Sequence, residues 1–155
     1  MKIFFKATFL IMLLFSLSSC GFKVVQNTNL NNFSIKEITS SGDRKISFKL
    51  KNNILNNENK RSENKILLDI KSQRIKTIKE KNIKNQITKY QINLLIDIKL
   101  TNSMGKQYLS QFSATDSYDV SSKHSTTINN ERNLINSLIE DVGENILSEI
   151  NIRIN

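Results

Sequence analysis

Few residues of this chain could carry covalent or acid–base chemistry, and their spacing says how much each can do. His124 is the only histidine. Ser125 beside it and Asp119 upstream supply, on paper, the nucleophile and the orienting carboxylate of a hydrolase triad. A chain this rich in serine produces such a triplet by chance, so it carries no assignment. Glu140 and Asp141 are the closest carboxylate pair, and neighbours on a helix do not face one another. No Gly-rich phosphate loop and no Cys/His cluster with metal-ligand spacing occur. These absences argue against an enzyme, a metal and a cofactor. The residue whose surroundings do imply chemistry is Cys20, the only cysteine.

Cys20 closes a segment built like an address label. Lys2 and Lys6 form a positive start, Ala7 to Leu17 is almost unbroken apolar, and small residues follow. That is the outline of a secretory signal peptide. The run is too short to cross a hydrocarbon core, which needs ~20 helical residues. Leu17-Ser18-Ser19-Cys20 resembles the lipobox of bacterial lipoproteins. The resemblance implies cleavage before Cys20, S-diacylglycerol on its thiol and N-acylation of the new amine. The plainer alternative is an ordinary signal peptide with a chance cysteine. A multiply acylated cysteine is a stable anchor, since each buried CH₂ contributes ~0.8 kcal/mol and one chain alone is marginal. Gly21 follows the cysteine, with no aspartate, and lipoproteins kept at the inner membrane often carry one there. The expected site is therefore the outer membrane, lipid-anchored and facing the periplasm. The expected organisation is signal peptide 1–19, lipidated cysteine and tether 20–32, and a single domain 33–155.

Charge comes next. The whole chain is +9. Without Lys2 and Lys6, 21 basic residues face 14 acidic ones, a net +7. Between Lys60 and Lys89 ten basic residues face only Glu63, Asp69 and Glu80, so the remainder is neutral overall. Such an excess attracts anionic partners. It is equally what a solvated edge strand needs to discourage edge pairing. Nucleic acid fits poorly, because an exported chain leaves the cytoplasm and no aromatics interleave the cations. An anionic lipid such as lipopolysaccharide fits the compartment. Asn, Lys and Ile are used heavily, which reads as a bias of the source genome before it reads as function.

The elements that would position these residues follow from periodicity. Phe33 and Ile35 alternate in a short strand candidate, Asn32 to Ile38. Ser40 to Asp43 is a turn whose Asp43 suits a helix N-cap. Ile46, Leu50 and Ile54 then recur every four residues, giving a helix from about Arg44 to Asn56. Lys65 to Lys71 is strand-like and continues raggedly to about Ile78, with a hairpin tip over Lys79 to Asn85. Tyr90, Ile92, Leu94, Ile96, Ile98 and Leu100 alternate with mostly polar residues, a strand with one buried face. Leu95 predicts partial cover on its other face. After a turn at Asn102–Gly105, Tyr108 to Thr115 is the partner strand. Asp116 to Thr127 reads as a polar loop anchored by Tyr118 and Val120. From Asn129 an apolar helical stripe runs to the C-terminus, with Glu131 outside it. The order β-α-β-β-β-α predicts an α+β two-layer sandwich: a three- to four-stranded, mostly antiparallel sheet with two helices on one face.

Taken together the chain resembles the LptE family of lipopolysaccharide-assembly lipoproteins. Cys20-Gly21-Phe22, Ser41-Gly42-Asp43 before the first helix, Thr88-Lys89-Tyr90-Gln91 opening the long strand, and Asn130-Glu131-Arg132 at the start of the last helix carry it. The resemblance implies a two-layer fold and a non-enzymatic outer-membrane lipoprotein. It implies a seat as a plug inside the large β-barrel partner LptD, support of that barrel's assembly, and binding of lipopolysaccharide. Family contacts to lipopolysaccharide are basic, near the second hairpin and before the last helix. Lys81, Lys84 and Lys123 are the nearest candidates here, without matching position for position; Ile128 stands where a cation is expected. The alternative from another class is a substrate-binding auxiliary lipoprotein of a different envelope lipid-transport complex. The implied partners are the barrel, lipopolysaccharide and outer-membrane lipid reached through the anchor, with no cofactor beyond the covalent lipid on Cys20.

Overall fold

A computed structural model describes residues 31–154. The signal peptide, Cys20 and all but the last two tether residues lie outside them. Six elements follow in the expected order: β1 Ser34–Gly42, α1 Arg44–Asn56, β2 Lys65–Lys81, β3 Ile87–Thr101, β4 Gln107–Asp119 and α2 His124–Ile154. The sheet order is β1-β2-β3-β4. β1 runs parallel to β2, and the other two pairings are antiparallel. Both helices cover one face, so the architecture is the two-layer α+β sandwich expected. No helix among the described residues is long and apolar enough to cross a membrane.

The core comes from one parity of each strand. Ile66, Leu68 and Ile70 of β2 and Ile92, Leu94, Ile96, Ile98 and Leu100 of β3 are buried. They meet Ile46, Leu50 and Ile54 of α1 and Ile135, Leu138, Ile139, Val142, Ile146 and Ile150 of α2. Phe33, fully buried, plugs the end of this layer. Each such side chain contributes ~1.5–3 kcal/mol on burial. The opposite sheet face has no helix over it. Leu95 is only half-buried there, sheltered by neighbouring strands rather than by the further cover its position led us to expect.

The turn out of β1 is sterically determined. Gly42 has φ +90°, and a Cβ on it would lie 1.9 Å from the Ser72 carbonyl oxygen. Only glycine fits there. Asp43 then caps α1, its Oδ1 accepting the N–H groups of Lys45 (3.1 Å) and Ile46 (3.2 Å). Its own N–H donates to the Ser72 carbonyl at 3.0 Å.

The two hairpins share one turn design. Asn82 Oδ1 accepts from the N–H groups of Lys84 and Gln86, and Asn102 Oδ1 from those of Met104 and Lys106. The penultimate loop residue of each is left-handed, Asn85 at φ 60° and Gly105 at φ 78°.

Four boundaries differ from the sequence expectation. β1 runs from Ser34 to Gly42 and pairs with β2 as far as Ser72, so Ser40 and Ser41 are strand rather than turn. β2 continues to Lys81, so the hairpin tip begins at Asn82 rather than Lys79. β4 continues through Tyr118, which pairs with Tyr90, so Asp116 to Asp119 is strand and not loop. α2 begins at His124, five residues before Asn129. Its first turns bury no apolar residue, Ile128 being exposed, so periodicity cannot reveal them. Asn130-Glu131-Arg132 therefore lies within the helix rather than at its start.

Candidate functional site

The β2–β3 hairpin fixes the positions of the basic candidates. β2 is 17 residues long and β1 leaves it at Ser72, about halfway. The rest of β2 and the start of β3 project together to the Asn82–Gln86 turn. Lys81 ends β2, exposed, with Nζ 3.0 Å from Asn85 Oδ1. Lys84 sits in the turn, its backbone N–H held by Asn82. Ile83 between them is fully exposed, at 103%. Lys123 lies in the short β4–α2 loop. That loop follows Asp119, whose strand partner is Lys89 near the tip of the same hairpin, so all three candidates occupy one pole of the sheet. Lys81 and Lys84 share a hairpin; Lys123 stands apart on its neighbour.

The ten basic residues from Lys60 to Lys89 do not form one patch. Lys60, Arg61 and Lys65 lie at the opposite pole, where β2 begins. Lys71 points to the open sheet face, while Arg74 and Lys76 point to the helical face. Three of the ten are neutralised by ion pairs. Lys89 Nζ is 3.1 Å from Glu80 and 3.6 Å from Asp119, which raises its pKa. Arg74 Nε is 3.2 Å from Asp43, and Lys76 Nζ is 2.7 Å from Glu131.

A cluster that sequence reasoning missed centres on Glu131 of α2. Glu131 Oε2 accepts from Lys76 Nζ and from the Tyr118 hydroxyl, each at 2.7 Å. Arg74 Nη1 approaches its other oxygen at 3.9 Å. Lys76 Nζ lies 4.3 Å from the Tyr90 ring centroid and 5.3 Å from that of Tyr118. The two rings are 5.8 Å apart. Burial pushes Glu131 up, but the bonds from Lys76 and Tyr118 and the charges of Lys76 and Arg74 outweigh it, so its carboxyl is held below the usual range. Burial alone would lower Lys76, yet Glu131 and Tyr118 raise it. Burial raises Tyr118, with Lys76 opposing and Glu131 adding to the effect. The cluster pins the N-terminal third of α2 to β2 and, through Asp43, to the cap of α1. The Asn102 turn sets Thr101 opposite Gln107 and hence Tyr90 opposite Tyr118; that register is the signal in the sequence that could have found it.

The triplet of Ser125, His124 and Asp119 is not assembled. His124 and Ser125 open α2, Asp119 ends β4 beside Lys89, and no hydrogen bond joins the three. Among the described residues no group of three His, Cys, Asp or Glu could hold a metal ion. A trough of about 670 Å³ lies on the open sheet face, between Thr39, Asp69, Lys71, Asp97, Lys99 and Leu109.

No family model matches the chain. No curated protein matches it either. Solved structures do. Rare lipoprotein B from Shewanella oneidensis is similar with a TM-score of 0.57 and 8% identity, over 74% of this chain and 92% of that one. A minor lipoprotein from Acinetobacter baumannii gives 0.54 and 13%, over 79% and 92%. Lipoprotein B from Nitrosomonas europaea, described as uncharacterized, gives 0.53 and 15%, over 73% and 78%. At these identities the likeness establishes a shared fold.

Proposed function

We propose that this chain is a non-enzymatic outer-membrane lipoprotein of the LptE type. Acyl chains on Cys20 hold it, and it seats as a plug in a large LptD-type β-barrel through which lipopolysaccharide reaches the cell surface. The observation that carries the reading is the separation of two poles. At ~3.3 Å per residue the 17-residue β2 rises about 55 Å, against ~40–45 Å for a bilayer with its headgroups. The tether joins at one pole, where Asn31 bonds Asn57 and Asn151. Lys81 and Lys84 lie at the other. A domain anchored in the inner leaflet and standing in a barrel lumen presents that basic hairpin toward the outer leaflet, where the phosphates of lipopolysaccharide lie. The lysine ammonium groups then act as point charges for them. A fold shared with solved lipoproteins and a lipobox-like Leu17-Ser18-Ser19-Cys20 support the same reading.

Affinity purification of the tagged, acylated chain from detergent-extracted membranes, followed by mass identification, is the test. Recovery of a large β-barrel in stoichiometric yield is expected. Recovery without any barrel overturns the plug and leaves the alternative, an auxiliary lipoprotein of another lipid-transport complex. Charge reversal at both Lys81 and Lys84 is expected to weaken binding of purified lipopolysaccharide, with a smaller difference at high salt. Unchanged affinity returns the hairpin lysines to solvated surface.

A further inference from the structure

The pole at which the tether joins carries its own surface chemistry. Asn31 is fixed there by two bonds: its Nδ2 donates to the Asn57 carbonyl at 2.6 Å, and its Oδ1 accepts from Asn151 Nδ2 at 2.9 Å. The same pole holds the β3–β4 turn, the α1–β2 loop and the end of α2. Met104 at the tip of that turn is 85% exposed and Ile152 on the last turn of α2 is 65% exposed. Neither contributes to the core, whose α2 stripe passes from Ile150 to the partly buried Ile154. Cations flank them. Lys60 and Arg61 are exposed in the α1–β2 loop and have no acidic partner within 4 Å among the described residues. Lys106 follows the Met104 turn and leans over Tyr108, with Nζ 5.1 Å from the ring centroid. Of the acids at this pole, Glu58 is engaged by the Ile35 N–H and Glu149 by Arg153 and Ser110, and Glu63 is exposed.

From Cys20 to Asn31 the chain takes eleven residue-to-residue steps, which span at most about 40 Å even fully extended. The opposite hairpin lies about 50 Å farther along the sheet. An anchor on Cys20 therefore keeps this pole within about 40 Å of the leaflet, while the other can stand about 50 Å farther away. We propose that the tether pole docks end-on at the headgroup–acyl boundary of the leaflet that carries the anchor. Met104 and Ile152 enter the apolar edge, and Lys60, Arg61 and Lys106 meet anionic headgroups. Apolar tips ringed by cations suit that interface. The inference concerns the anchored chain before it enters a barrel, and rests on the Cys20 anchor rather than on the plug.

Acylation of Cys20 leaves no other thiol, so single cysteines introduced as Met104→Cys, Ile152→Cys and Ile83→Cys can each carry a nitroxide. The acylated full chain is reconstituted in vesicles of phosphatidylethanolamine and phosphatidylglycerol. Collision with oxygen against a water-soluble nickel chelate then reads the depth of each label. Labels at 104 and 152 are expected to be oxygen-rich and nickel-poor, and the label at 83 to be as nickel-accessible as in solution. Replacing phosphatidylglycerol with a neutral lipid is expected to make the first two shallower. Chains that float with vesicles but carry aqueous labels at 104 and 152, or a label at 83 that is equally deep, overturn end-on docking alone. Chains that fail to float overturn the anchor, and this inference with it.

Discussion

Replacing Glu131 with Gln tests whether the N-terminal third of α2 is held by charge. The side chain accepts from Lys76 and from Tyr118, each at 2.7 Å. Bonds to a charged group are worth ~1.5–3 kcal/mol when shielded. The Lys76 side chain is 38% exposed, so its share falls to about 1 kcal/mol or less. The glutamine amide oxygen still accepts one bond. Net loss at neutral pH is therefore ~1.5 kcal/mol, or about 6 °C in Tm for a domain of this size. The pH dependence separates charge from shape. The folded carboxyl is lowered, so its stabilisation is complete above the ordinary glutamate value near ~4.3 and vanishes as pH falls through the lowered one. The folded Lys76 is raised, so its contribution holds below the ordinary lysine value and is lost as pH rises through the raised one. Calorimetry of both proteins across pH should show a gap that is widest near neutrality and closes at either end. Other titrating groups cancel in that difference. Superimposed transitions at neutral pH, or a gap constant down to strong acid, would refute an ionic origin.

Gly42→Ala is expected to cost ~3 kcal/mol or more. Left-handed backbone alone costs ~1–2 kcal/mol for a residue with a Cβ, and that atom would lie 1.9 Å from the Ser72 carbonyl oxygen, forcing β1 off β2. A lower urea midpoint at unchanged slope is the readout, and a midpoint within error of the parent contradicts the steric account. The twin turns give an internal comparison. Asn82 and Asn102 make the same two backbone bonds, but Asn82 is exposed whereas Asn102 is buried. Asn102→Ala should cost ~1–2 kcal/mol, since its bereft N–H groups have less access to water, and Asn82→Ala about half of that. Equal losses would mean that water serves both turns alike.

Elements that bury an apolar stripe of their own were legible in the sequence. α1 lies where Ile46, Leu50 and Ile54 put it, with Asp43 as cap, because cap, period and turn agree. The long alternation of β3 was equally plain. Hidden were segments whose partners come from elsewhere. The end of β4 is polar at Asp116 and Ser117 and is strand because Tyr118 can pair with Tyr90. The first turns of α2 are polar because that end is held to the sheet by Glu131. Periodicity measures an element's own burial, and these two are ordered by long-range polar and aromatic contacts. The parallel placement of β1 was likewise hidden, since alternation does not encode strand direction.

The charge of β2 shows the same limit and sharpens the functional reading. A run of ten cations summing to +7 with its acids suggests one anion site along a strand. Strand geometry divides it, since successive residues face opposite sides and the strand is about 55 Å long, several times the ~8 Å over which exposed charges act in physiological salt. Arg74 and Lys76 are spent within the fold on Asp43 and Glu131, and Lys89 on Glu80 and Asp119. Lys60, Arg61 and Lys65 stand at the opposite pole, where β2 begins. An anion at the hairpin therefore meets chiefly Lys79, Lys81 and Lys84, and Lys79 already donates to Ser117. The Lys81 and Lys84 reversal should therefore remove most of the salt-sensitive part of lipopolysaccharide binding, while reversal at Lys60 and Arg61 leaves it unchanged. Equal losses from the two pairs would show that binding follows net charge rather than the hairpin.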